Sequence, residues 1–151
     1  MDFADKVAVI TGAASGIGRA VANDLTRRGV RAMALVDLSE AVGDVTAEIN
    51  AKAKRRVAYA YRGDVTDAAF RVSVYDAISS EVGAVTICVP AAGITRDELA
   101  VRIDRETGKA RIYSEETFRR VIHVNLVAPV YWALEMIGRI AENRAAAGLK
   151  R

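Results

Sequence analysis

Between Lys6 and Val89 the sequence alternates short apolar runs with amphipathic stretches, a pattern that few folds accept. Lys6–Thr11 (KVAVIT) predicts a fully buried strand. Ser15–Arg28 predicts a helix in which Ile17, Val21 and Leu25 recur every four residues and Gly29 marks the stop. Arg31–Asp37 (RAMALVD) predicts a second strand, and Ser39 to about Lys54 a second helix with Val42, Val45 and Ile49 on one face. Val57–Asp64 reads as a third strand, Thr66–Val82 as a helix capped by Thr66, and Ala84–Val89 as a fourth strand. Strands apolar on both faces and joined by helices imply an α/β fold, a parallel sheet covered on both sides. Right-handed crossovers make it a doubly wound, Rossmann-type sheet of order 3-2-1-4, with its crevice between strands 1 and 4 at their carboxyl ends.

After Gly93 the rhythm changes. Leu99–Ile103 and Ala110–Tyr113 flank Glu106-Thr107-Gly108-Lys109, which predicts a small hairpin in a long loop. Ser114 is placed to cap the last helix, with Glu115 and Glu116 against the positive end of its dipole. That helix is apolar around most of its circumference, from Phe118 through Trp132 to Ile137, so one side can cover the sheet while the other calls for a second partner. Pro129 removes a hydrogen bond in its middle, and a kink is expected there.

At 151 residues, 52% of them apolar, the chain has the size of one ordinary domain. Its net charge of +3 is spread out. The denser basic groups, Lys52 with Lys54–Arg56 and Arg139, Arg144, Lys150 and Arg151, read as solvated faces, so no nucleic acid is expected. Cys88 is the single cysteine, which excludes a disulfide framework or cysteine metal cluster within the chain; no metal site is expected, and the setting fits a reducing cytoplasm. The N-terminus has no basic segment leading into a long apolar run, and no uncharged stretch much exceeds the fourteen residues 82–95, so neither signal peptide nor membrane span is expected.

TGAASGIG, Thr11–Gly18, joins the first strand to the first helix. In that context Gly12 permits a tight turn, Gly16 lets the backbone approach a pyrophosphate, and Gly18 lets helix and strand pack. The helix N-terminus offers unpaired N–H groups and a positive dipole to a phosphate. Asp37 closes the second strand, where a carboxylate can accept both hydroxyls of an adenosine ribose and repels a 2′-phosphate. Neither Leu38, Ser39 nor Ser15 supplies a cation for such a phosphate, so NAD is favoured over NADP. Asp37 can equally cap the helix that follows.

With TGAASGIG, Asp37, the Asp64-Val65 pair, AAGITRD from Ala91 to Asp97 and HVNLVAP around Asn125, the chain resembles the N-terminal part of a classical short-chain dehydrogenase/reductase. AAGITRDELA more softly resembles the 3-oxoacyl-(acyl-carrier-protein) reductase branch. The resemblance implies that the backbone around Gly12, Ser15 and Ile17 faces the pyrophosphate. It places Asp37 and Leu38 at the ribose, Asp64 and Val65 at the adenine, and Ala91, Ala92 and Gly93 beside the ribose and nicotinamide. Asn125 corresponds to the asparagine that kinks the central helix and holds a water of the proton relay. On the residues alone, Asn125 reads equally well as a helix residue bonding back to its own turn.

Two features depart from the family pattern. Pro90-Ala91 stands where Asn-Asn is usual, so a side-chain brace must be replaced or absent, and the loop Leu99–Tyr113 is longer than in typical ketoacyl reductases. The family's acid/base tyrosine precedes a lysine by four residues, whereas Tyr59, Tyr61, Tyr75, Tyr113 and Tyr131 precede Gly63, Val65, Ser79, Thr117 and Glu135. The expectation is an N-terminal, NAD-binding portion of a longer enzyme, inactive alone, that takes a small alcohol, ketone or acyl thioester and pairs with a second copy through the helix 115–140. The competing expectation is a catalytically silent NAD-binding sensor or scaffold.

Overall fold

The computed structural model describes residues 2–149. Strands β1 (Val7–Thr11) and β2 (Ala32–Asp37) form the middle of a four-stranded parallel sheet, with β3 (Ala58–Arg62) outside β2 and β4 (Ile87–Pro90) outside β1. The order β3-β2-β1-β4 is the expected one. Side chains alternate between two cores, as the twofold period of a strand requires. Val7, Val9, Ala34 and Val36 face a layer containing Val74, Tyr75 and Ile78 of α3 (Ala68–Val82) and Trp132 of α5 (Ala128–Ala146). Ala8, Ile10, Met33 and Leu35 face Ala22 and Leu25 of α1 (Gly16–Arg27) and Val42, Val45 and Ile49 of α2 (Ala41–Ala53). Only the two central strands are buried along their length; Ala60 on β3 is exposed and Ile87, Cys88 and Val89 on β4 are half-buried, because edge strands lack a neighbour on one side.

Three local expectations are corrected. The buried face of α1 is Gly18, Ala22 and Leu25, whereas Ile17 is 76% exposed, since it faces the open groove beside the loop rather than the sheet. The cap of α3 is Asp67, whose carboxylate accepts from Ala69 N (2.8 Å) and Phe70 N (3.1 Å), because the helix begins at Ala68; the Thr66 hydroxyl donates instead to Asp64 Oδ1 (2.8 Å). The expected kink near Pro129 takes the form of a π turn, His123–Val127, between α4 (Glu115–Ile122) and α5. Proline has no N–H to give, and a widened turn just before it absorbs the lost bond.

Ser114 caps α4 as expected, accepting from Thr117 N at 3.2 Å. The hairpin is also present, β5 (Val101–Ile103) against β6 (Ala110–Ile112), its turn closed by Asp104, which accepts from the amides of Glu106 and Thr107. The basic groups are largely occupied: Arg55 donates to the carbonyls of Val30 and Arg31, Arg56 pairs with Glu81, and Arg139 pairs with Asp76 and Glu135. Lys150 and Arg151 lie outside the described residues.

The run Glu115–Ala146 is long and apolar enough to cross a membrane by length and composition, with a mean hydropathy of 1.4 in one 18-residue window. Part of that apolar surface faces the sheet. Ala128 and Trp132 are buried in the sheet core, Trp132 Nε1 donates to the Val65 carbonyl (2.9 Å), and the Tyr75 hydroxyl donates to the Trp132 carbonyl (2.7 Å). The Tyr75 ring lies 5.7 Å from the indole and the Phe70 ring 6.4 Å from it, edge-on. Burial pushes the Tyr75 phenol well above its ordinary range, so it stays a neutral donor. Trp132→Ala should lower stability by about 3–5 kcal/mol through the cavity it leaves, and Trp132→Phe by about 1 kcal/mol through the lost indole bond. Urea unfolding followed by far-ultraviolet circular dichroism checks both.

Candidate functional site

At the carboxyl ends of β1 and β4 the sheet opens into a groove of about 550 Å³. One wall is the β1–α1 loop, with Gly12, Ser15, Gly16 and Ile17. Asp37 and Leu38 come from the end of β2, Asp64 and Val65 from the loop after β3, and Ala91, Ala92 and Gly93 from the segment after β4. Thus the residues that the sequence singled out converge, apart from two. Gly18 does not face the groove but lies buried beneath the loop, where a Cβ would come 2.3 Å from the Gly12 carbonyl oxygen. Asn125 does not line the groove and acts on its floor from outside.

The floor depends on Gly12. Its φ is +67°, and a Cβ there would lie 2.7 Å from Ala92 N and Cα, so the loop and the post-β4 segment meet backbone to backbone. The Thr11 hydroxyl accepts from Ala92 N (3.2 Å) and the Thr11 carbonyl from Ala91 N (3.2 Å). A buried threonine on β1 therefore supplies a brace where Pro90-Ala91 replaces side-chain amides. Asn125, in the π turn, holds the next residue along: its Oδ1 accepts from Ile94 N and its Nδ2 donates to the Ile94 carbonyl, both at 2.8 Å. That two-way clamp corrects the alternative in which Asn125 bonds its own turn.

The loop fits an anionic ligand. Ser15 precedes α1 in extended conformation and makes no side-chain capping bond, so the first-turn amides remain available at the positive end of the helix dipole. Gly16 has φ +50° and open space where a Cβ would stand, which leaves the backbone accessible from the groove. A pyrophosphate matches that donor set. Further along, Asp37 accepts from Ala14 N and from Ser39 N, both at 2.9 Å, one bond to each carboxylate oxygen. These bonds fix the carboxylate while leaving each oxygen acceptor capacity for a hydroxyl. Arg62 stands beside Asp37 in the sheet register, but its guanidinium is taken by Glu40 (2.6 Å) and the Leu38 carbonyl (3.3 Å).

At the far end Asp64 Oδ1 accepts from the amide and hydroxyl of Thr66. Those bonds first, and the charges of Arg120 and His123 after them, hold its carboxyl below the usual range. Arg120, His123, Val124, Gly63, Thr66 and Ile94 also line the groove. None of these was assigned to the site from sequence, although Thr66 was read as a helix cap and Ile94, His123 and Val124 fall within the quoted motifs, nor was Thr11 read as a brace. Arg120, His123 and Val124 fall at i, i+3 and i+4 and share one helical face, which is the spacing that could have grouped them.

The family model for short chain dehydrogenases matches residues 6–147. The chain belongs to the short-chain dehydrogenase family. It is 37% identical to the 3-oxoacyl-(acyl-carrier-protein) reductase FabG of Escherichia coli over 106 residues, 70% of this chain and 41% of that protein. To the cis-4-hydroxycyclohexanecarboxylate dehydrogenase of Sinomonas cyclohexanicum it is 35% identical over 126 residues, 82% of this chain and 45% of that protein. A solved structure assigned as a short-chain dehydrogenase from Novosphingobium aromaticivorans superposes with a TM-score of 0.79 at 22% identity, covering 99% of this chain and 50% of that one. The chain thus spans less than half the length of the curated relatives named here.

For this family member the two loop glycines should separate by experiment. Gly12→Ala, strained and blocked by Ala92, should lower stability by about 1–3 kcal/mol. Gly16→Ala, which meets no atom, should lower it by no more than about 1–2 kcal/mol of backbone strain. Thermal and urea unfolding of the two variants make the comparison.

Proposed function

We propose that this protein is an NAD-dependent oxidoreductase in which the present chain holds the dinucleotide. Hydride passes between the nicotinamide, which supplies that chemistry when bound, and the carbon of a secondary alcohol or ketone. The observation that carries this reading is the meeting, in one groove, of the α1 N-terminus, the Asp37 carboxylate and the Ala91–Gly93 backbone. NAD is preferred to NADP in this reading because Asp37 puts negative charge where a 2′-phosphate would lie and Arg62 is committed to Glu40. A 3-oxoacyl thioester or a small cyclic or acyclic alcohol is the substrate class, supported by the names of the similar reductase and dehydrogenase.

Each residue has a defined part. The first-turn amides of α1, with Gly12, Ser15, Gly16 and Ile17, bind the pyrophosphate. Asp37 and Leu38 take the adenosine ribose, and Asp64 and Val65 border the adenine. Ala91, Ala92 and Gly93 run beside the nicotinamide ribose, and Asn125 acts as a positioning residue that fixes Ile94 and hence this segment. The proton moves on a Tyr-x-x-x-Lys pair in a further segment of the same enzyme, since no tyrosine here precedes a lysine by four residues. Alone, the chain binds dinucleotide without turnover. The single, half-buried Cys88 supports a reducing, cytoplasmic setting, and neither nucleic acid nor membrane is a partner in this reading.

Phe118, Ile122, Leu126, Val130, Leu134 and Ile137 form an exposed apolar stripe along α4 and α5. A second copy of the chain is the partner we assign to it, an isologous pairing of this helix with its symmetry mate. Leu126→Glu with Val130→Glu should then convert a dimer or larger assembly to monomer, read by sedimentation velocity. A wild-type protein that sediments as a monomer overturns the assignment.

Isothermal titration of NADH and NADPH tests the function. Wild-type protein should prefer NADH, and Asp37→Ala should weaken NADH by about 10- to 100-fold, the value of hydrogen bonds to a charged group, while narrowing the preference. Failure to bind either dinucleotide would falsify the reading. Dinucleotide binding by the complete enzyme with no turnover of any alcohol or ketone would leave a binding module.

A further inference from the structure

Arg120 is placed for a pairing that it does not make. Glu116 lies four residues before it on α4, the favourable orientation for a helical ion pair, and the neighbouring Arg119 makes that bond with Glu115 at 2.6 Å. Arg120 instead lines the groove, and among the described residues it has neither a hydrogen bond nor an ion pair. Asp64, Val65 and Thr66 line the same groove, and the Asp64 carboxylate is turned to Thr66 through two bonds while feeling the Arg120 charge from a distance. A guanidinium with no hydrogen bond of its own among the described residues therefore lines the groove far in sequence from the glycine loop.

We propose that Arg120 is a recognition residue for the adenine base, covering with a planar cation the ring that Asp64 and Val65 border. The chemistry of the other subsites leaves it this part. Phosphate charge is met by the α1 N-terminus, and the ribose by Asp37, so no anion of the dinucleotide falls to Arg120. A guanidinium is flat, weakly hydrated and stacks on aromatic faces, which a lysine ammonium does not reproduce. The inference rests on the dinucleotide reading given above and assigns that site a residue outside the motifs that identify it.

Titrations of wild type, Arg120→Ala and Arg120→Lys with NADH, AMP and reduced nicotinamide mononucleotide test it. Arg120 is exposed on a helix surface, and circular dichroism confirms that the variants fold. Arg120→Ala should weaken NADH and AMP by roughly 3- to 30-fold, the range of a stacked cation, and leave the mononucleotide unchanged. Arg120→Lys should recover less than half of the loss on a logarithmic scale. Unchanged NADH affinity in Arg120→Ala overturns the inference while leaving the dinucleotide reading intact. Full recovery by lysine also overturns it, marking a point-charge contact to phosphate, as does an equal loss for the mononucleotide, which marks a damaged groove. Absence of NADH binding by the wild type removes both this inference and the reading beneath it.

Discussion

The groove exists because two backbones touch. At Gly12 the chain leaving β1 passes so close to Ala91 and Ala92 that a single methyl group has no room. The strands themselves diverge here: β1 feeds α1 on one face of the sheet, while β4 leads into a segment held from the other face. Contact at the base with divergence above it makes a crevice whose walls are main chain. Main-chain walls suit a ligand rich in phosphate and hydroxyl oxygens, because their amides are fixed by the fold and lose no side-chain entropy on binding.

Much of this was legible from the sequence because it depends on local rules. Buried parallel strands need continuous apolar runs, and Val7–Thr11 and Ala32–Asp37 have them. The glycine spacing and Asp37 sit at fixed offsets from the strand ends, so their meeting followed from topology. Gly18 was read correctly as a packing residue, yet packing also takes it out of the groove. What was illegible depends on side chains that cross from one element to another. Thr11 looks like the last residue of a strand until Ala92 is placed above it, and Asn125 looks like a helix residue until Ile94 is. Ile17 obeys the helical period of its neighbours and is nonetheless exposed, because at the helix start its side of the turn faces the open groove while Gly18 packs against the loop.

The long helix serves several neighbours at once. Its apolar surface is shared among three demands: Ala128 and Trp132 go to the sheet, the π turn goes to the groove through Asn125, and the stripe from Phe118 to Ile137 is left outward. The Trp132 indole makes one directional hydrogen bond, Nε1 to the Val65 carbonyl, and the Trp132 backbone carbonyl accepts a second from Tyr75 of α3. The first bond ties the helix to the same β3 exit loop that carries Asp64.

Through that tie the Asp64 end of the groove is joined to the helix. Val65 gives its carbonyl to Trp132 and also lines the groove, while Arg120 and Asn125 flank the start of the π turn five residues apart. Ile94 and Arg120 are therefore both held from the helix, whereas the glycine loop is anchored separately through Ala13 to Val36 and Ala14 to Asp37. The groove thus has one wall fixed to the sheet and another fixed to the helix, with Gly12 as the point where the two meet.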